Sequence, residues 1–347
     1  MAVIDKPSDY FNTVLWTGNG NAGTNITGVG FQPNWVWIKR RSAVEFNVWN
    51  DSVRGVPKNL YSNSTQVQDS GNLMSAIISD GFTVQTDNSV NANSSTYVAW
   101  NWLAGTTSGI ATNGATTITP AAYSFNQTSG ISIVNYDGND TAGAKVAHGL
   151  GTTPDMMIVK AMNSTAHWAI YHKAMGNTHY MQFDTNAQLD DAGVWNDTSP
   201  DSVNFTVGQS DKTNLVTYIA YCFADVPNYS KFGSYVGNGD NSGAFIYTGF
   251  KPAFVMIKIT AGQTDNWIMQ DNKINSFNGA SSQRLRPNSS GAEFSSSNEI
   301  DLLSNGFKTH GNDGEINGSG YSYIYMAFAE NPFVTSTGNG SIPTTAR

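Results

Sequence analysis

The sequence predicts an all-β fold, and three observations carry the prediction. The chain is rich in residues that pack strands and residues that turn between them: 9 Trp, 15 Tyr and 17 Phe stand beside 34 Gly and 38 Asn in 347 residues. Only 13% of residues are charged, far too few for the Glu/Lys-laced heptads of a coiled coil. The apolar segments alternate with period two, and none shows a helical period.

One pattern recurs three times. It opens on a glycine turn, at Gly18-Asn19-Gly20, Gly138-Asn139-Asp140 and Gly237-Asn238-Gly239. A proline follows at Pro33, Pro154 and Pro252, and six residues later a lysine, at Lys39, Lys160 and Lys258. Next comes a polar residue closing the following strand, at Asp51, His172 and Asp271. Phe82, Phe205 and Phe307 follow a later turn, and an aromatic strand ends each copy, starting at Tyr97, Tyr218 and Tyr323. Proline to that tyrosine spans 64, 64 and 71 residues, a spacing that identifies a whole-module repeat.

Each element has its reason. The strand after the proline (Trp35-Val36-Trp37-Ile38, Met156-Met157-Ile158-Val159, Phe254-Val255-Met256-Ile257) is apolar on both faces, as in a central strand covered on both sides. The next strand, aligned as Phe46 to Trp49, Trp168 to Tyr171 and Trp267 to Gln270, returns as a hairpin. That places the lysine near the turn and the Asp or His at the open end, too far apart for a preset ion pair. The closing strand carries one bulky face: Val98, Trp100, Trp102; Ile219, Tyr221, Phe223; Ile324, Met326, Phe328. Burying three such side chains contributes roughly 5–8 kcal/mol per strand before conformational entropy is subtracted. The other face ends in a small residue, Asn101, Cys222 or Ala327.

These readings predict three tandem β-sandwich or jelly-roll-like modules with an extended C-terminal tail. The boundaries are an N-terminal arm at 1–8, modules at 9–105, 121–226 and 227–330, a linker at 106–120 and a tail at 331–347.

Net charge is −8 and the pI is near 5.0, with Lys39-Arg40-Arg41 as an isolated basic cluster. Nucleic acid and anionic membrane are therefore not expected partners. No run approaches 18 apolar residues, so no membrane insertion is expected, and Met1 to Pro7 has no basic start followed by an apolar run of the kind a secretion signal needs. The single cysteine, Cys222, allows no intrachain disulfide.

No nucleophile elbow, zinc-protease helix, phosphate loop or Cys-x-x-Cys motif is present. His167, His172 and His179 cluster in the second copy but show no evident fourth ligand, and His148 and His310 read as surface loop residues. Asp137-Gly138-Asn139-Asp140, Asp240-Asn241 and Asn312-Asp313-Gly314-Glu315 offer oxygen ligands, yet none fits the twelve-residue calcium loop; they read as Asx turns. Asp190-Asp191 are sequence neighbours, which would point to opposite strand faces and make a poor glycosidase pair. Cys222 reads as a small filler. Trp16 and Trp195, near turns, are the candidates for stacking on a glycan. The expectation is thus no catalytic residue, no metal and no cofactor.

The first copy resembles a module of structural proteins from tailed bacteriophages, notably marine ones. The residues that carry the resemblance are Thr17-Gly18-Asn19-Gly20, Gly28 to Pro33, Val36 to Lys39, Asp51-Ser52-Val53-Arg54-Gly55, Ser79 to Phe82 and Tyr97 to Trp102. The likeness covers residues 9–105; the second and third copies lack the Asp-Ser-Val-Arg-Gly run. Asn331-Pro332-Phe333 and the Ile342 to Arg347 end are similar as well. The resemblance implies a non-enzymatic virion component of tail-fibre or appendage type, located in the virion. It implies partners among other virion proteins, a homo-oligomer and a possible host-surface glycan. The alternatives are a capsid decoration protein, with three modules imitating a trimer in one chain, and a carbohydrate-binding, lectin-like module.

Overall fold

The computed structural model describes residues 3–187, 189, 193–275, 278–279, 281–297, 300–335 and 342–343. The fold is all-β, 42% strand and 2% helical, and its sheets are antiparallel.

Three large sheets share one strand order. In the first, the opening strand Phe11–Thr17 pairs with the closing strand Thr96–Trp102. That pairs with the proline strand Trp35–Arg40, and that with the return strand Asn47–Asp51. The second repeats this with Ile131–Asp137, Thr217–Phe223, Met156–Ala161 and Ala169–His172. The third uses Ser230–Val236, Ser322–Pro332, Phe250–Ala261 and Ile268–Asp271. Register follows the same rule: Trp35, Met156 and Phe254 lie opposite Trp102, Phe223 and Phe328 on one side, and Asp51, His172 and Asp271 on the other. The return strands differ by one residue from the sequence alignment. Asn47, not Phe46, stands opposite Lys39, and Phe46 is left 39% exposed.

Each large sheet has two apolar faces, because each faces two cores. One face packs on a small sheet of its own unit: Thr24–Thr27, Gly81–Val84 and Met74–Ile78; Ala144–Ala147 with Asn204–Val207; Phe245–Tyr247, Gly306–Thr309 and Ile300–Leu303. Val36 and Ile38, Met157 and Val159, and Val255 and Ile257 fill these three separate cores. The opposite faces all meet. Trp35, Trp37, Met156, Ile158, Phe254 and Met256 belong to one common core, together with the bulky face of every closing strand. The units are therefore not beads in series. They sit around a shared centre, which explains why the proline strand has no polar face.

A polar device recurs at the outer end of each sheet. The hydroxyls of Tyr97, Tyr218 and Tyr323 donate to the carbonyls of Asn88, Asp211 and Gly314. The same oxygens accept the N–H groups of Ala92, Leu215 and Gly318. Just upstream, the side chains of Asn91, Asn214 and Asn317 each accept the N–H of the asparagine in the glycine turn: Asn19, Asn139 and Asn238. The turn lies so close that a Cβ on Gly18 would stand 2.2 Å from the Ala92 carbonyl oxygen, which is why glycine opens the copy.

Residues 106–120 are not a free linker. Ile118 is buried and bridges Val146, so the segment lies along the edge of the second small sheet, which has only two strands of its own. The second join is short, with Val226 turning through Pro227 and Asn228 to Ser230. In the N-terminal arm, Ile4 enters the common core. The tail falls mostly outside the described residues; within it Val334–Thr335 pairs with Ile342–Pro343.

Candidate functional site

The polar residues that recur in the sequence converge on the seams between units. Lys39, Lys160 and Lys258 are all fully buried. Each sends its ammonium to a backbone carbonyl of the preceding unit, counted cyclically. Lys160 Nζ donates to Thr65 O of the first unit at 3.1 Å, Lys258 Nζ to Asn186 O of the second at 3.3 Å, and Lys39 Nζ to Ser290 O of the third at 2.9 Å. Desolvation lowers all three pKa values to about 8.

The residue opposite each lysine reaches the same loop. Trp168 Nε1 donates to Tyr61 O and Ser64 O, both at 3.1 Å. Trp267 Nε1 donates to Gln182 O at 3.4 Å, and Asn47 Nδ2 to Ser289 O at 2.9 Å. The loop after each return strand is thus held by two donors from the next unit, which satisfies carbonyls that burial would otherwise leave unpaired.

Asp51, His172 and Asp271 point the other way around the ring. Each accepts the main-chain N–H two residues on, from Val53 at 3.0 Å, Ala174 at 3.2 Å and Lys273 at 2.7 Å. The far atom of each side chain then crosses to the following unit. Asp51 Oδ2 accepts the Tyr221 hydroxyl at 2.7 Å. His172 Nε2 donates to Tyr325 O at 3.3 Å. Asp271 Oδ2 accepts the Thr13 hydroxyl at 2.7 Å and Trp100 Nε1 at 3.0 Å. The position therefore requires an acceptor for the turn and a second polar atom about one ring width away. Imidazole meets both needs as well as a carboxylate does.

The first seam carries an extra charge pair. Arg54 Nε lies 2.5 Å from Asp51 Oδ2, and Arg54 Nη2 donates to Trp49 O at 2.9 Å. Both side chains are buried, at 1% and 0% exposure. Burial alone would lower the arginine pKa, but Asp51 and Tyr221 outweigh it and hold it above the ordinary value. This accounts for the Asp-Ser-Val-Arg-Gly run: it is a seam lock of the first unit. Asp271, with no arginine, has its carboxyl pKa raised, chiefly by burial. The lysines and these Asp/His residues form no ion pairs with one another, as hairpin geometry requires.

The remaining candidates are placed as follows. Trp195 is buried at 1% exposure and packs edge-on against Tyr171, so its ring offers no face to a sugar; this corrects the glycan-stacking expectation for that residue. Trp16 is half-buried, stacked on Tyr97 at 5.1 Å with Nε1 donating to Val90 O at 3.2 Å. Tyr136 on Tyr218 and Tyr235 on Tyr323 repeat that stack in the other units. His148 is not a surface residue. It is fully buried, with Nε2 3.0 Å from Asp201 O and Nδ1 accepting Leu150 N–H at 3.2 Å. The histidines of the second copy diverge: His167 pairs with Asp184, His172 is in the seam, and His179 meets Thr178. Cys222 is buried filler, its thiol pKa pushed up by desolvation. Asn139, Asp240 and Asp313 each accept the N–H two residues on, the expected Asx geometry. Asp190 and Asp191 lie outside the described residues. Among the described residues no three His, Cys, Asp or Glu side chains converge as metal ligands. A surface cleft of about 420 Å³ holds the pair His310–Asp301, 2.8 Å apart, among Asn241, Asn278 and Ser297.

Two buried histidines, His172 in a seam and His148 within the second unit, give a pH signature. Burial lowers the pKa of both His148 and His172 to about 4, from an ordinary 6.5. Between those values the unfolded chain binds protons that the folded chain refuses, so stability rises with pH across that window and is lost as pH falls from 6.5 toward 4. Protonating Nδ1 of His172 also breaks its bond from Ala174. Each histidine is expected to remove about 2–3 kcal/mol by pH 4. Urea unfolding of His172→Asn at pH 7 and pH 4.5 tests this: its pH slope should be shallower than that of the wild type, and an equal slope would refute the assignment.

Sequence reasoning missed Asn91, Asn214 and Asn317, although an asparagine shortly before each closing tyrosine was there to be seen. It also missed the loops 61–65, 182–186 and 286–290, which share position but no residue pattern. Neither curated proteins nor solved structures gave a match to the chain. A family model described as Domain of unknown function (DUF7483) matches residues 6–332, a span that takes in all three large sheets and their seams, and the chain belongs to that family.

Proposed function

We propose that the chain is a non-enzymatic structural component of a tailed-phage virion, seated as a single polypeptide at a threefold position of the particle. The observation that supports this reading is closure of the ring within one chain. The third unit reaches the first through Asp271 to Thr13 and Trp100, and the first reaches the third through Lys39 to Ser290. A fibre trimer obtains its threefold symmetry from three chains packing their inner faces. Here those faces already pack on one another in the common core, so a decoration role fits better than a tail fibre. The recurring buried lysines and their Asp or His counterparts are committed to the seams, which leaves them poorly placed for turnover. A glycan-binding role has less support, with Trp195 buried.

Light scattering on the purified chain should give a monomer of 37.3 kDa, and electron microscopy of the particle should place one copy on each threefold site. A stable trimer in elongated tail density would favour the fibre instead. Polysaccharide cleavage by the purified chain would overturn the non-enzymatic reading.

A further inference from the structure

The second small sheet has its outer edge covered by the chain itself. Ile118 bridges Val146 in parallel. The N–H groups of Thr117 and Ile118 donate to Lys145 O at 3.0 and 2.9 Å, and Ala147 N–H donates to Ile118 O at 3.2 Å. The covering stretch belongs to residues 106–120, between the first and second units. Between the second and third units no such stretch exists, since the closing strand ends at Phe223 and the next opening strand begins at Ser230.

The corresponding edge of the third small sheet is Phe245–Tyr247, and among the described residues no strand pairs with its outer side. The registers match. Phe245, Ile246 and Tyr247 lie opposite Lys308, Phe307 and Gly306, as Lys145, Val146 and Ala147 lie opposite Thr206, Phe205 and Asn204. Ala244 O accepts Thr309 N–H from within the sheet, so by alternation the Phe245 N–H and C=O and the Tyr247 N–H turn outward. These are the counterparts of the groups used at Lys145 and Ala147.

The side chains differ in the same sense. Phe245 is 49% and Tyr247 59% exposed, where the first unit carries Asn25 and Thr27. The edge lacks the charge, proline or bulge that usually protects such strands. Tyr247 also walls a cleft of about 390 Å³ bounded by Asp225, Asn228 and Lys231.

We propose that Phe245–Tyr247 accepts an extended segment of a partner chain by parallel strand addition, as residues 117–118 do for the second unit. The fitting segment is uncharged and rich in Thr, like Thr112 to Pro120. It places a β-branched aliphatic residue beside Ile246, as Ile118 stands beside Val146, and lays its outward residues on the Phe245 and Tyr247 rings. The proposal does not rest on the virion reading, because a peptide titration reads it whether or not the chain belongs to a particle.

The probe is a labelled synthetic peptide with the sequence of Thr112 to Pro120, titrated by fluorescence anisotropy against the whole protein to about 1 mM. Saturable binding is expected. Tyr247→Pro removes the outward N–H without touching the inner ladder and should weaken binding about tenfold or more. The double variant Phe245→Asn/Tyr247→Thr carries the first unit's residues, so it tests the same edge if the proline variant fails to fold, and it too should weaken binding. Absence of saturation, or binding indifferent to both changes, would overturn the proposal. So would a wild-type dimer in sedimentation that the double variant converts to monomer, since the edge would then be a self-interface.

Discussion

Replacing Asp51 by alanine is expected to cost about 3–5 kcal/mol of unfolding free energy, because it strands a buried guanidinium. Arg54 has 1% side-chain exposure and sits against Asp51, the Trp49 carbonyl and the Tyr221 hydroxyl. Without the carboxylate its charge keeps only neutral partners, and the N–H groups of Val53 and Arg54 lose their acceptor. The cost should therefore exceed that of Arg54→Met, which at least leaves the turn intact. The double variant Asp51→Leu/Arg54→Met should be less damaging than Asp51→Ala, since no charge is left unpaired. At the exposed pair Lys6–Asp9, with side chains 72% and 50% exposed, removal should be nearly silent. Urea denaturation of the four variants decides it. A loss below about 1 kcal/mol for Asp51→Ala would mean the seam lock contributes little.

Much of the fold was legible because period two is a strong signal when both faces are apolar. The closing-strand face Val98, Trp100, Trp102 and its two counterparts were assigned to core from alternation, and all nine residues lie in the common core. The spacing of proline, lysine and tyrosine marked corresponding positions in three sheets because backbone register fixes them. What the chain did not disclose is where those cores are. Alternation says that a face is buried, not whether it is buried against its own unit or against another, so beads in series and a closed ring fit the same pattern. The seam residues were hidden for a related reason. Lys39, Lys160 and Lys258 recur visibly, but their partners are backbone carbonyls, which carry no sequence identity. His172 reads as the counterpart of Asp51 and Asp271 by position alone; the property the three share, acceptance of the N–H two residues on, is not visible in the residue types. Trp195 misled through its neighbourhood: proximity to turns suggests exposure, yet the loop folds its ring into the second unit's own core.

Trp49→Ala is expected to cost about 3–5 kcal/mol, the scale of a large aromatic lost from a core that cannot collapse around the gap. The indole is fully buried, and its neighbours belong to two units. Trp35 and Trp37 of the first lie 4.5 and 4.8 Å away between ring centres, and Trp168, Tyr221 and Phe183 of the second at 4.8, 5.0 and 5.6 Å. A cavity there removes contacts across the seam as well as within the unit. In beads in series the loss would stay in the first unit. In a ring around one core it should spread, since the second unit also packs on the third through Phe223 with Phe328 and through Phe183 with Trp267. Native-state hydrogen exchange by mass spectrometry separates the two. Amides of the closing strands at 217–223 and 322–332 should lose protection together with those at 96–102. Loss confined to residues 11–102, with the other two sheets as protected as in the wild type, would show that the common core does not couple the units.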